Sequence, residues 1–333
     1  MIKFYKMLFV STLMISTLIS VSSHSWLGIW IGLEINLLSM IPLMNSAKNM
    51  MATEASIKYF ITQALASTIL LFSFLMIVNL NNVSQTPMLL ALNSSLLTKM
   101  GAAPFHFWFP EVIEGLSWTT SFLLLTWQKI APMVILMYNI NTLFFSSIIL
   151  MCMIISGIMG LNQISLRKIL AYSSINHIGW MISTMIFMES IWMYYMLIYT
   201  IITANIILIF SKLNVSYLKQ LFNSMTSNQL MKILFVMNFM SLGGLPPFLG
   251  FFPKWITINL LTQNNMLMLP IMMIVLTLIT LFFYMRITFN TILLSSNEMN
   301  TLKLPMSKNY LILTFNILSV SGLIYATMIL NLN

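Results

Sequence analysis

Four ionisable residues stand inside runs otherwise built of Leu, Ile, Met and Phe. Glu34 lies in Gly32-Leu33-Glu34-Ile35-Asn36, Lys99 precedes Met100-Gly101-Ala102-Ala103-Pro104, Lys129 follows Trp127-Gln128, and Lys254 sits between Pro253 and Trp255. A charge at the centre of a bilayer costs about 2.5–3.5 kcal/mol on insertion scales, so four cost roughly 10–14 kcal/mol by simple addition. That sum is comparable to the whole net stability of a protein, and function is the usual reason such a cost is tolerated. The chemistry these types suggest is proton transfer. Desolvation disfavours the charged form of an amine, so a buried lysine can release a proton near neutrality, and an approaching carboxylate returns it. Moving one charge across 100 mV takes about 2.3 kcal/mol, while a switch of one to two pKa units supplies about 1.4–2.7 kcal/mol. Several coupled sites are therefore needed. The plainer alternatives are lysines that snorkel to the surface and a structural ion pair at Glu34.

Three further residues could join a relay. His106 lies within Pro104-Phe105-His106-Phe107-Trp108, beside a helix breaker. Ser173 and His177 are four apart, hence on one helix face, and histidine titrates close to neutrality. The plainer reading of His177 is a histidine bonded to a neighbouring helix. His24 reads as a solvated loop residue. No His/Glu pair has metal-ligand spacing on one face, and no Gly-rich nucleotide loop or haem motif is present. Cys152, the single cysteine, cannot form an internal disulfide and reads as a small packing residue.

Composition sets the medium in which these residues sit. Of 333 residues 59% are hydrophobic and 6% charged, against roughly 25% charged in a soluble domain. The solvent must itself be apolar, so the chain is read as an all-α integral membrane protein. Asp is absent, and the net charge of +9 comes from basic residues scattered between apolar runs. Nucleic-acid binding needs a water-facing basic patch and is excluded on that ground. Lys3 and Lys6 lead straight into the first apolar run, without a cleavable signal or an Arg-rich transit segment. The 32 methionines fit either packing at lipid-facing positions or a mitochondrial code in an AT-rich genome, in which case the chain could be made where it works.

About eleven spans follow from runs of about 20 apolar residues: 4–22, 26–45, 57–80, 87–109, 117–139, 143–161, 168–188, 190–211, 231–261, 266–289 and 310–331. Within the 212–230 connection, Tyr217, Leu218, Leu221, Phe222 and Met225 recur at helical spacing, which predicts a short helix lying on the membrane surface. Alternation of loops puts Lys3, Lys6, Lys48, Lys58, Arg167, Lys168, Lys212, Lys219, Lys232, Arg286, Lys303 and Lys308 on the side of the N-terminus, twelve of the fifteen basic residues. The remaining three are Lys99, Lys129 and Lys254. The positive-inside rule then places the N-terminus inside and the C-terminus outside.

Two of the lysine spans contain breakers. The fourth contains the segment from Lys99 through Pro104 to Pro110, and the ninth that from Gly243 through Pro246, Pro247 and Pro253 to Trp255. Proline removes a helix hydrogen bond, and in lipid the freed carbonyls require protein or a wet cavity. The two breaks lie five spans apart, an odd offset that reverses direction, as an inverted-topology repeat requires. The predicted organisation is one membrane domain with repeat 1 at about 1–140, repeat 2 at about 141–290 and a C-terminal helix at about 310–331.

The order and spacing of these segments resemble the chain 2 family of mitochondrial NADH–ubiquinone oxidoreductase, an antiporter-like subunit family of respiratory complex I, in its arthropod-type form. The segments are those around Glu34, from Lys99 to Pro110, Trp127 to Pro132, Arg167 to Trp180, and Gly243 to Trp255. The resemblance implies an antiporter-like fold with an inverted repeat and two discontinuous helices. It implies proton-path roles for Glu34, Lys99, Lys129 and Lys254, and a place in the mitochondrial inner membrane with the N-terminus in the matrix and the C-terminus in the intermembrane space. It implies neighbours among chains 4, 4L and 6, accessory subunits and membrane lipids. Flavin, iron–sulfur clusters and ubiquinone would belong to other subunits, so that this chain holds no cofactor. Two competing functions are a free-standing Mrp-type cation/proton antiporter, which would favour more mid-membrane carboxylates than Glu34 alone, and a purely structural subunit, which would not need three buried lysines.

Overall fold

The computed structural model describes residues 4–45, 49–79, 85–225 and 229–293, together with Thr314 and Asn316. Among them every named element is an α-helix. The chain divides into two compact units, Met1–Cys152 and Met153–Asn333.

The first unit contains α1 (Phe4–Ser22), α2 (Trp26–Met44), α3 (Met50–Asn79), α4 (Gln85–Met100), α5 (Trp108–Gly115), α6 (Trp118–Leu125) and α7 (Trp127–Leu136); α8 (Thr142–Leu161) carries the division. Ser25 caps α2 by accepting from the Gly28 amide at 3.2 Å. Large apolar side chains such as Leu18, Leu65 and Phe72 are exposed on α1 and α3, as lipid-facing positions must be. α3 starts two turns earlier than the predicted span. The extra turns carry Glu54, and Lys58 one turn on bridges Glu54 at 2.9 Å and Glu111 of α5 at 2.7 Å. The predicted fifth span is interrupted at Thr126, whose hydroxyl bonds the Phe122 carbonyl at 2.7 Å. A threonine that back-bonds one turn down competes with the backbone ladder and bends it. Pro132, by contrast, lies inside α7 without ending it.

The second unit contains α9 (Leu166–Met185), α10 (Glu189–Leu213), α11 (Leu218–Met225), α12 (Gln229–Gly243), α13 (Phe251–Gln263) and α14 (Met268–Leu293). α11 buries Leu221 and Met225, in line with the amphipathic spacing. Among the described residues seven helices are long and apolar enough to cross a membrane, counting α6 and α7 as one. The predicted fourth and ninth spans fall outside that group because each is built from two shorter helices. The seventh, α9, falls outside it because it is polar, and it can be polar because eighteen of its twenty residues are buried in protein. The predicted eleventh span, 310–331, lies outside the described residues except at Thr314 and Asn316.

Short contacts link loops that the alternation of spans places on one side. The Leu166 amide donates to the Ser216 carbonyl at 3.0 Å and the Leu218 amide to Ile164 at 3.2 Å. Lys232 donates to the Ile292 carbonyl at 2.9 Å. Within the first unit, the Asn93 amide donates to the Asn139 carbonyl at 2.9 Å.

Candidate functional site

Each unit contains a glycine-capped break between half-helices, and the two breaks open with the same cap. α4 ends with Gly101 at φ +74°, its amide bonding Thr98 and the Ala102 amide bonding Leu97. α12 ends with Gly244 at φ +79°, its amide bonding Ser241 and the Leu245 amide bonding Met240. This is the Schellman arrangement, with glycine at the left-handed position that side chains avoid. The glycine therefore ends each first half-helix, and the prolines that the sequence singles out only prevent it from resuming. The closest approach is at Gly250, where a Cβ would lie 1.7 Å from the Ser241 carbonyl oxygen. Only glycine lets the start of α13 pass so near the end of α12.

In the first unit, two side chains donate to carbonyls of the capped turn, one of them (Thr98) already bonded by the Gly101 amide. Trp108 Nε1 donates to the Thr98 carbonyl at 3.0 Å, and Gln63 Nε2 donates to the Lys99 carbonyl at 3.2 Å. The Lys99 side chain is buried in the last turn of α4, where a cation suits the helix dipole. It borders a cavity of about 10 Å³ lined also by Asn36, Tyr59, Gln63 and Gln128, room for about one water molecule. The Tyr59 hydroxyl donates to Gln128 at 3.4 Å, and Gln128 donates to Asn36 at 2.9 Å. Glu34 is half-buried and acts on Lys99 electrostatically. Among the described residues the two do not approach within the 4 Å of a direct ion pair. Lys129, 1% exposed, lies 5.4 Å from the centre of the Phe109 ring and within electrostatic range of Cys152. Cys152 in turn donates to the Ala103 carbonyl at 3.8 Å, inside the break. His106 is buried there too, its Nδ1 at 3.1 Å from the Pro104 carbonyl.

In the second unit, the freed carbonyls are taken by the lysine itself. Lys254 Nζ donates to Gly243 at 2.9 Å and to Leu242 at 3.3 Å, and lies 5.7 Å from the centre of the Trp180 ring. Trp180 is one turn from His177 on α9. His177 Nδ1 is 2.9 Å from the Tyr195 hydroxyl, and its ring packs 5.0 Å from that of Tyr199. Ser173 faces the Tyr284 hydroxyl and Ser174 faces that of Tyr199. Ser173 and His177 thus share a face, and each meets a different tyrosine.

A comparison with known proteins decides the family. Residues 23–280 match the family described as "NADH:quinone oxidoreductase/Mrp antiporter, TM". NADH-ubiquinone oxidoreductase chain 2 of Anopheles gambiae is 47% identical over 332 residues, covering 97% of each chain. The chain belongs to the NADH-ubiquinone oxidoreductase chain 2 family. Among solved structures, respiratory complex I from Thermus thermophilus with bound aureothin aligns at TM-score 0.85 and 20% identity, covering 96% of this chain and 78% of that one. The Mrp complex from a Dietzia species aligns at TM-score 0.72 and 17% identity, covering 84% and 59%. Both show the antiporter-like fold. Membership in the chain 2 family makes the protein a multi-pass subunit of a respiratory enzyme rather than a free-standing Mrp-type antiporter.

Seen as a chain 2 family member, the protein places residues at its breaks that sequence reasoning passes over. Gln63, Asn36, Gln128 and Trp108 surround Lys99, Tyr195 and Tyr199 pack on His177, and Tyr284 meets Ser173. A signal existed for some of them. Asn36 is two residues from Glu34, Gln128 is next to Lys129, and Tyr195 and Tyr199 are four apart on one helix. Tyr59, Trp108 and Tyr284 are ordinary in sequence and gain their meaning from packing alone.

Proposed function

We infer that this chain is a proton-translocating membrane-arm subunit of respiratory complex I, coupled to NADH-to-ubiquinone electron transfer in other subunits. The observation that supports the proton-transfer reading most is Lys254, held on two carbonyls at a capped helix end inside the membrane. An ammonium has three N–H groups, and a neutral amine keeps two. Two suffice for the Gly243 and Leu242 carbonyls, so the third proton can leave and return without undoing the cap. Lys99 and Lys129 are assigned the same exchange, with Glu34 biasing Lys99 and with His106, His177 and Ser173 as auxiliary members. Amides and hydroxyls around Lys99 both donate and accept, which suits a water-borne proton.

The same reading assigns the protein to the mitochondrial inner membrane, N-terminus in the matrix and C-terminus in the intermembrane space. It assigns inverted repeats at about 1–140 and 141–290 followed by the 310–331 helix. Chains 4, 4L and 6, accessory subunits and lipids are its proposed neighbours, with flavin, iron–sulfur clusters and ubiquinone held elsewhere in the complex. The test is Glu34→Gln, which keeps shape and removes charge. In sealed inner-membrane vesicles, proton uptake per NADH oxidised should fall while the amount of complex stays normal. Unchanged uptake at normal abundance would remove Glu34 from the path.

A further inference from the structure

A further concavity in the second unit has no lysine in its lining. A cavity of about 250 Å³ opens in the second unit among the end of α8, the α8–α9 loop, α11 and the last turns of α14. Its polar rim is Asn162, Gln163, Arg286 and Asn290, and its apolar wall includes Leu218 and Phe222. Pairing between Ser165 and Tyr217 ties the loop to the start of α11, and Ile164 and Leu218 on either side of it are both lining residues. On α14, Phe283, Arg286, Ile287 and Asn290 recur at helical spacing, so one stripe of that helix supplies both the apolar depth and the cationic rim.

Position and charge narrow the occupant. The cavity sits where α8, α9 and α14 end and the amphipathic α11 runs across them, the level at which a bilayer changes from hydrocarbon to headgroup. Loops and helix ends at this level of the second unit also carry Arg167, Lys168, Lys212, Lys219 and Lys232. Glu189, the one acidic residue described in this unit, begins α10 at the opposite end. Arg286 is exposed and pairs with no carboxylate among the described residues. A planar guanidinium forks onto phosphate oxygens, and basic pockets between membrane helices favour anionic lipid headgroups. A water-soluble anion would gain nothing from Leu218, Phe222 and Phe283, whereas the first carbons of an acyl chain would.

We propose that this cavity binds an anionic phospholipid, with its phosphate at Arg286, its headgroup hydroxyls or esters against Asn162, Gln163 and Asn290, and its proximal acyl carbons against Phe222 and Phe283. The test uses the assembled complex in nanodiscs carrying trace photoactivatable phosphatidylglycerol or photoactivatable phosphatidylcholine, with crosslinks mapped by mass spectrometry. The phosphatidylglycerol probe should label 160–164 and 218–222, and unlabelled phosphatidylglycerol should displace it. Arg286→Gln should lower labelling about fivefold, the factor for one basic side chain at an anionic surface, and Arg286→Lys should keep most of it. Equal labelling by the phosphatidylcholine probe overturns the proposal, as does unchanged labelling in Arg286→Gln. Displacement by inorganic phosphate would reassign the cavity to a soluble anion. If Arg286→Gln does not assemble, the competition series on the unaltered complex decides alone.

Discussion

The two helix breaks share a cap and differ in what completes it. In both, a glycine in the left-handed conformation closes the first half-helix with the same pair of backbone bonds. In the first unit, neutral donors, Trp108 from the second half-helix and Gln63 from α3, take the carbonyls. In the second, the donor from the second half-helix is the cation Lys254. The difference teaches how one frame supports two electrostatic settings. Where neutral side chains complete the cap, Lys99 is released to line a small polar cavity near a carboxylate. Where the lysine completes the cap, it is fixed by main-chain carbonyls and needs no carboxylate. Under the proposed function Lys254 is therefore both a structural and an exchangeable group, while Lys99 is chiefly the latter.

The strongest way to break the comparison is at Gly250. Gly250→Ala drives a methyl into the Ser241 carbonyl, and backbone cannot yield as a side chain does. We expect a loss at or above the upper end of the roughly 1–3 kcal/mol typical of overpacking, seen as a sharp drop in assembled complex. At Gly101 an added Cβ meets the Phe109 side chain at 2.9 Å, and the left-handed conformation adds about 1–2 kcal/mol, so Gly101→Ala should be the milder lesion. Equal abundance of the two variants would contradict this ordering.

Next in size is the cap itself. Lys254→Met strands two carbonyls, at about 1–3 kcal/mol each, whereas Trp108→Phe leaves the Thr98 carbonyl its bond from the Gly101 amide and removes one hydrogen bond worth about 0.5–1.5 kcal/mol. Thermal denaturation of the purified complex should show Lys254→Met as the less stable, with Lys99→Met less affected than either. If Lys99→Met and Lys254→Met lose the same stability, Lys254 has no special place at the break. The smallest effect belongs to Lys58. Its carboxylate partners are exposed, as it is, so Lys58→Ala should change stability by no more than about 1 kcal/mol, and high salt should erase the difference.

Much of this arrangement was legible in the sequence because it rests on simple costs. Apolar runs gave the long spans, and Gly and Pro beside Lys99 and Lys254 marked the two breaks. The interruption at Thr126 was not legible, because no breaker stands there and a threonine back-bond is a local choice of rotamer. α9 was legible as a helix, yet its polarity is explained only by the protein that encloses it. The donors to the cap carbonyls were hidden for a different reason. Trp108 reads as an interface aromatic and Gln63 as one polar residue among many, and only three-dimensional proximity gives them carbonyls to satisfy. The same holds for Tyr284, which meets Ser173 across a hundred residues of chain.

The central claim is that these lysines exchange protons rather than merely carry charge, and Lys99 tests it most directly. A guanidinium keeps its proton at any physiological pH, so arginine preserves the charge and abolishes the exchange. Lys99→Met removes both, and controls for the larger size of arginine by leaving the cavity uncrowded. Proton uptake and NADH oxidation would be measured together on assembled complex carrying each variant. The account predicts that both variants lower coupled proton uptake, Lys99→Arg as severely as Lys99→Met. Normal uptake in Lys99→Arg alongside failure of Lys99→Met would show a fixed charge and contradict the account.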